Sequence, residues 1–159
     1  MTGYTPAFIL MTFLFYFSSC VPKKKNEDTP EKNRAAIMKA DADFSDMSAA
    51  KGMKAAYLEY IDSNGVLLRQ DTMPVIGADA VDYLLAQNDT AFNLTWKPTG
   101  AAVATSGELG YTYGIYEVAP HAKDTFLYGT YVSIWKKQAD GKWKYVLNSN
   151  NEGIGGNEQ

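Results

Sequence analysis

The hydrophobic and polar positions in the first part of the chain repeat with the period of an α-helix. A first helix is expected after Pro30, followed by a cationic, glycine-terminated end at Lys51-Gly52. Its predicted buried face consists of Ile37, Ala40, Asp41, Phe44 and Ser48. The apolar positions of the second, shorter helix are Met53, Ala56, Tyr57 and Tyr60. A third helix is predicted over residues 78–87, with Val81, Leu84 and Leu85 buried.

Beyond residue 91 the pattern becomes typical of β-strands, because β-branched and aromatic residues dominate between turn sequences such as KPTG, TSGELG and VAPHAKD. Strands are expected over residues 92–105, with a bend near Pro98, and over 111–118, 126–137 and 143–148. One earlier strand, 66–70, follows the predicted turn DSNG. The short connections favour an antiparallel meander. Helices followed by such a sheet give an α+β fold, in which the helices cover one face of a curved sheet.

The last predicted hairpin determines which side chains share a face, because QADGK places Asp140-Gly141 at its turn. A two-residue turn would pair Ser133 with Asn148 and Trp135 with Val146. One face would then hold Tyr131, Ser133, Trp135, Asn148 and Asn150. The opposite face would hold Val132, Ile134, Trp143, Tyr145 and Leu147. The first face is mixed aromatic and polar, as small-molecule pockets are, whereas the second suits a core or a dimer interface.

Residues 7–17 form an uncharged stretch that is too short to span a bilayer as a helix. It fits the hydrophobic region of a secretory signal peptide and is followed by the small residues Ser18 and Ser19. The sequence FSSC resembles the lipobox of bacterial lipoproteins, in which the cysteine sulfur carries a diacylglycerol. This resemblance implies lipidation of Cys20 and a location in the bacterial cell envelope, periplasmic or outer-membrane facing. The alternative is an ordinary cleaved signal peptide with a leftover thiol.

The composition predicts one folded domain, since 159 residues with 46% hydrophobic content suffice for a single core. The expected organisation is a signal peptide (1–19), a lipidated N-terminus with a disordered linker (20–33), the domain (34–152) and a flexible tail (153–159). The linker is assigned because its residues are mostly charged or polar. A net charge of −3 provides no broad cationic surface, so nucleic acid is not an expected partner.

Three segments together resemble the SnoaL-like, nuclear transport factor 2-like superfamily, and especially its stand-alone members of unknown function. They are ADADFSDMSAAKG, TSGELGYTYGIYEV and GTYVSIWKKQADGKWKYVLN, within residues 34–152. The resemblance implies a cone-shaped fold, in which three N-terminal helices pack on a strongly curved antiparallel sheet and leave a pocket at the wide end. The superfamily includes ketosteroid isomerase and polyketide cyclases but also non-catalytic association and transport domains, so the fold does not decide the function.

No catalytic residue is assigned from this resemblance. The catalytic base of the isomerases follows their second helix, and that region reads VLLRQD here, with Arg69 or Gln70 near the expected position. His121 lies in a turn, and no serine or cysteine motif accompanies it. One histidine and one cysteine do not make a zinc site, and the scattered carboxylates do not make a calcium loop. Neither a metal nor a cofactor is therefore expected.

Asp41 is the most informative carboxylate, because a charge on an apolar helix face must be paired, hydrogen-bonded or neutralised by a raised pKa. It is either a pocket acid or a structural group that binds backbone or tyrosine hydroxyl groups. The mixed face of the sheet, together with tyrosines that add hydroxyl groups, suggests a ligand-binding set. This set consists of Asp41, Tyr57, Tyr113, Tyr131, Trp135 and Asn148. Alternatively, the tyrosines serve only the core and its rim.

Three functions are consistent with these observations. The leading hypothesis is an envelope-anchored domain that binds a small, partly apolar molecule and does little or no chemistry. The second is an enzyme of the isomerase, dehydratase or cyclase kind, with Asp41 and tyrosines as acid–base groups. The third is a protein-binding or dimerisation domain, a homodimer in the simplest case, that uses the outer face of the sheet.

Overall fold

The computed structural model describes Met1, Gly3 and residues 29–153. Cys20, the apolar stretch before it and nearly all of the tail lie outside the described residues. The elements in chain order are α1 (Pro30–Lys51), α2 (Met53–Tyr60), β1 (Ile61–Leu68), β2 (Val75–Ile76), α3 (Ala78–Ala86), β3 (Phe92–Val103), β4 (Leu109–Pro120), β5 (Leu127–Lys137) and β6 (Trp143–Glu152). None of the helices in the described ranges is long and apolar enough to cross a membrane.

Helix α1 begins at Pro30, where the helical pattern was expected to begin, so its first turn lies within the stretch 20–33 assigned to the linker. The hydroxyl group of Thr29 accepts a hydrogen bond from the Lys32 backbone N–H at 3.2 Å, and Pro30 occupies the first turn, where its missing N–H does no harm. Asn33 is buried, with its amide against Gly107. Capping starts the helix in a polar stretch, where hydrophobic periodicity carries no signal. The end predicted at Gly52 is confirmed.

The six strands found within residues 29–153 form one sheet in the order β2-β1-β6-β5-β4-β3. Strands β3 to β6 are the predicted antiparallel meander, whereas β1 runs parallel to β6 and pairs on its other side with the short β2. The prediction of a turn at DSNG is wrong: residues 62–65 lie within β1, which is bulged between Ile61 and Val66. The three helices cover one face of this curled sheet, which gives the expected α+β cone.

The hairpin between β5 and β6 differs from the prediction by one residue. Ser133 pairs with Asn148 as expected, but Trp135 pairs with Tyr145 rather than Val146. The cause is a three-residue turn, in which the backbone N–H of Gln138 bonds the carbonyl oxygen of Lys142 at 2.7 Å. A bulge between Ile134 and Trp135 then restores the predicted register. As a result Trp143 and Tyr145, assigned to the opposite face, are buried beneath the helices.

Phe44 of α1 occupies the centre of the core between helices and sheet. Its ring centroid lies 4.4 Å from that of Trp96 and 5.5 Å from that of Tyr145. The ring also contacts Tyr57 and Tyr60 of α2, at 4.8 and 4.9 Å. The space beneath the helices is therefore filled largely by aromatic side chains.

The prediction for α3 is partly wrong. Leu84 is buried with Ala80, but Val81 is half-buried and Leu85 is 51% exposed. Helix α3 packs on α2, β1 and β2 at one edge of the sheet, so only a narrow stripe of its surface is covered.

Candidate functional site

Asp41 lies at the centre of a buried hydrogen-bond network beneath α1 and is fully enclosed. The indole Nε1 of Trp96 donates to Oδ1 at 2.8 Å, and the hydroxyl group of Tyr131 donates to Oδ2 at 2.7 Å. The Thr112 hydroxyl group is a further donor to the carboxylate, and it accepts from Nε1 of Trp135 at 2.8 Å. Strands β3, β4 and β5 thus each present a donor to one carboxylate on α1.

The electrostatics of this network favour the structural interpretation of Asp41. Burial raises the pKa of the Asp41 carboxyl group, and the hydrogen bonds from Tyr131, Thr112 and Trp96 offset part of that rise. Burial also raises the pKa of Tyr131, and the neighbouring Asp41 charge raises it further. A general acid or base must come within hydrogen-bond reach of its substrate. The enclosed carboxyl group does not offer that reach.

Five of the six predicted site residues come together in the interior, and one does not. Asp41, Tyr57, Tyr131, Trp135 and Asn148 are all buried on the face covered by the helices. Tyr113 is 48% exposed on the opposite face of the sheet. Side chains alternate along β4, with residues 110, 112, 114 and 116 turned inward, so Tyr113 must point outward. Its assignment to the pocket is wrong.

The cavity among these residues is small, about 20 Å³. Its walls are Tyr57, Leu94, Trp96, Tyr116, Tyr131, Asn148 and Asn150. Such a volume accommodates roughly one water molecule, whereas pockets for drug-sized ligands measure about 300–1,000 Å³. The Oδ1 atom of Asn150 is buried there without a hydrogen-bond partner among the described residues. The interior therefore does not provide the ligand-sized hollow expected from the sequence.

A larger groove of about 550 Å³ opens between the end of β4, the start of β5 and the end of β6. Its walls are Tyr116, Val118, Phe126, Leu127, Tyr128, Glu152 and Gly153. We refer to it as the mouth groove. Tyr116 belongs to both the mouth groove and the interior cavity, so its ring separates them. Sequence reasoning missed the groove, although the alternation along β5 that turns Tyr131 inward also places Leu127 on that face.

Arg69 follows β1 and reaches across to β6. Its Nη2 donates to Asn148 Oδ1 at 2.9 Å, and its Nη1 donates to the Asn148 carbonyl oxygen at 3.1 Å. The guanidinium carbon lies 5.8 Å from the centroid of the Tyr57 ring. Burial raises the pKa of Tyr57, and the Arg69 charge partly counteracts that rise. A cation therefore stands near the position where the isomerase resemblance implies a base.

The remaining sequence candidates lie apart from this network. His121 is exposed on the loop after β4, and its Nδ1 lies 3.0 Å from the carbonyl oxygen of Thr90. Within the described part of the chain, no three histidine, cysteine or acidic side chains are grouped so that they could hold a metal ion.

The outer face of the sheet, away from the helices, carries an exposed apolar stripe on β4. Its members, each 44–48% exposed, are Leu109, Tyr111, Tyr113 and Ile115. On β5 the half-buried Val132 and Ile134 line the same shallow groove as Leu109 and Tyr111. We refer to these six residues as the outer stripe.

No protein-family model matches the sequence, and no curated protein gives a significant match. Solved structures do resemble the fold. A ketosteroid isomerase-like protein from Erwinia carotovora atroseptica matches with a TM-score of 0.60 and 16% identity, over 76% of this chain and 96% of that chain. A nuclear transport factor 2-like protein with a cystatin-like fold from Novosphingobium aromaticivorans matches with a TM-score of 0.60 and 16% identity, over 80% and 86% of the two chains.

A protein of unknown function with a cystatin-like fold, from Nostoc punctiforme, matches with a TM-score of 0.58 and 19% identity, over 76% and 90% of the two chains. At such identities the likeness concerns the fold and carries no residue roles. Three helices on a curled, mostly antiparallel sheet and these structural matches lead to one conclusion: the chain has the nuclear transport factor 2-like fold.

Proposed function

We propose that this protein is a lipid-anchored domain of the bacterial cell envelope that binds a small, partly apolar molecule in the mouth groove, without chemistry. The observation that carries the proposal is the contrast in volume between the interior cavity and the mouth groove. The interior cavity is about 20 Å³, whereas the mouth groove is about 550 Å³ and open. A ligand of ordinary size therefore fits the mouth and not the interior.

The chemistry of the mouth groove supports a ligand of mixed character. Val118, Phe126 and Leu127 offer an apolar wall, and the side chains of Phe126 and Leu127 are more than half exposed. Glu152 adds one charged group, and Tyr116 adds a hydroxyl group. Large exposed apolar side chains grouped in a concavity are typical of binding sites. The acid–base alternative has less support, because Asp41 is enclosed.

Replacement of Leu127 by serine is expected to weaken binding of the neutral fluorescent probe N-phenyl-1-naphthylamine to the purified chain about tenfold, since a leucine contact is worth roughly 1.5 kcal/mol. Leu85→Ser is the matched control, because Leu85 has nearly the same exposure, 51% against 56%, but lies on α3. Probe fluorescence measures both affinities. Equal weakening by the two variants, or no binding by the unaltered chain, would contradict the proposal.

The anchor is proposed from the sequence alone, through Cys20. Expression in a bacterium with a labelled fatty acid should label the unaltered chain, and Cys20→Ser should abolish the label, because the thioether bond requires the cysteine sulfur. Mass spectrometry of the N-terminal peptide reads the result. An unlabelled unaltered chain, or a label that persists in the variant, refutes the anchor.

A second candidate function, self-association, is favoured by the outer stripe. Paired Tyr113→Glu and Ile115→Glu substitutions would place charges in its centre and are expected to convert a dimer into a monomer in sedimentation experiments. Leu85→Glu, at an exposed position of α3 on the helix side of the sheet, should leave the dimer intact. A monomeric unaltered chain at high concentration would rule this candidate out.

A further inference from the structure

Within the described part of the chain, Arg69 is a half-buried cation without a carboxylate partner. Its guanidinium group donates three hydrogen bonds, and all three acceptors are neutral. They are the backbone carbonyl oxygens of Leu68 and Asn148 and the side-chain amide oxygen of Asn148. Among the described residues no carboxylate lies within ion-pair distance of its guanidinium group. Half-buried charges are usually paired, so the missing anion calls for an explanation.

The hydrogen bonds of Arg69 leave one edge of the guanidinium group open. A guanidinium group has five N–H donors, and two on Nη1 and one on Nη2 are used. The unused donors belong to Nε and Nη2, which form the same side of the planar group. That edge matches the two oxygens of a carboxylate. Since the three existing bonds already hold the group in place, little side-chain freedom is lost when an anion binds.

The open surface around Arg69 is a polar groove of about 380 Å³. It is lined by Leu68 and by six polar or charged residues: Arg69, Gln70, Ser149, Asn150, Asn151 and Glu152. This polar groove and the mouth groove share Glu152, so the two are adjacent. One molecule can thus place an apolar body in the mouth groove and a polar head beside Arg69.

We infer that Arg69 is an anion subsite, and that the ligand is an apolar molecule with a single carboxylate head that pairs with the open guanidinium edge. This inference rests on the proposed function and specifies its ligand class. A singly charged head is favoured over a doubly charged one, because Glu152 in the same groove repels negative charge.

Two probes of the same shape test the inference: 4-ethylbenzoate and its uncharged analogue 4-ethylbenzamide, titrated into the purified full-length chain and followed by NMR. The benzoate is expected to bind about tenfold more tightly and to shift the Arg69 Nε–H signal. Arg69→Gln should reduce benzoate affinity to that of the benzamide. Glu152→Gln should raise benzoate affinity about two- to threefold, by removing a repelling charge.

Lys142→Gln is the control for net charge, because Lys142 lies in the β5–β6 turn at the opposite end of β6. It should leave both affinities unchanged. Equal affinity for the two probes, or a benzoate preference that survives Arg69→Gln, overturns the subsite and leaves the proposed function standing. Failure of both probes to bind overturns both proposals. If Arg69→Gln does not fold, the Glu152→Gln variant tests the subsite instead. Benzoate affinity that does not rise in this variant contradicts the subsite.

Discussion

Replacement of Asp41 by leucine is expected to lower the free energy of unfolding by about 3–5 kcal/mol, since each buried donor left without an acceptor costs about 1–3 kcal/mol. Leucine has a similar size but no acceptor, so the indole N–H of Trp96 and the hydroxyl group of Tyr131 would both lose their partner. Urea unfolding near neutral pH, followed by tryptophan fluorescence, measures the effect. A loss below about 1 kcal/mol would contradict the network.

Asp41→Asn is the matched control, because asparagine keeps the size and one acceptor oxygen of aspartate but carries no charge. It therefore distinguishes the loss of the charge from the loss of the hydrogen-bond acceptor. The amide oxygen can still accept from Trp96, and the hydroxyl group of Tyr131 can rotate to accept from the amide nitrogen. Burial raises the pKa of Asp41 in the folded state above its ordinary value of 3.8. At a pH between the unfolded-state pKa and the folded-state pKa, the folded protein therefore binds more protons than the unfolded protein. Stability of the unaltered protein should therefore fall, relative to Asp41→Asn, as pH rises through that window. A difference between the two proteins that does not change with pH would refute the raised pKa.

Replacement of Phe44 by alanine is expected to destabilise the protein by about 3–5 kcal/mol, the usual range for removing a buried aromatic ring. The ring contacts Trp96, Tyr57 and Tyr145, which come from a helix and two strands. Its loss would leave a void between the layers that these rigid side chains cannot fill. Chemical unfolding gives the free energy, and near-ultraviolet circular dichroism reports the loss of fixed aromatic packing.

The control for Phe44 is Leu85→Ala. Leu85 was predicted to be buried from its position in the helical repeat, but its side chain is 51% exposed. Truncation there is expected to change the free energy of unfolding by less than about 0.5 kcal/mol. If the two substitutions cost the same, the exposed placement of Leu85 on α3 is wrong.

Much of the fold could be predicted from local patterns. Helical periodicity located α1 through α3, and alternation with turn residues located the meander, because both periods depend on backbone geometry that is the same in every protein. The observed start of α1 at Pro30 agrees with the predicted one, and the cap by Thr29 accounts for it. The parallel pairing of β1 with β6 was missed because the two strands are far apart in sequence and share no turn.

The candidate site was predicted only in part. The predicted pairing of Ser133 with Asn148 placed Tyr131 and Asn148 on one face of the sheet, as observed. Tyr131 and Ser133 are two residues apart in β5, and such residues share a face. It could not tell which tyrosines outside that hairpin turn inward, so Tyr113 was assigned to the wrong face. The bulge in the β5–β6 pair brought Tyr145 inward as well, since one extra residue reverses the alternation.

The sequence by itself determined the three helices, the meander of β3 to β6, the α+β class and the position of Asp41 on an apolar helix face, since each follows from spacing along the chain. Only the tertiary structure decided that this carboxylate is enclosed by Trp96 and Tyr131, that aromatic rings fill the interior, and that the mouth groove forms between the ends of three strands. The physical reason is that cavity volume depends on how side chains from distant elements fill a shared space. That filling changes with a single bulge or a one-residue difference in a turn, which periodicity does not record.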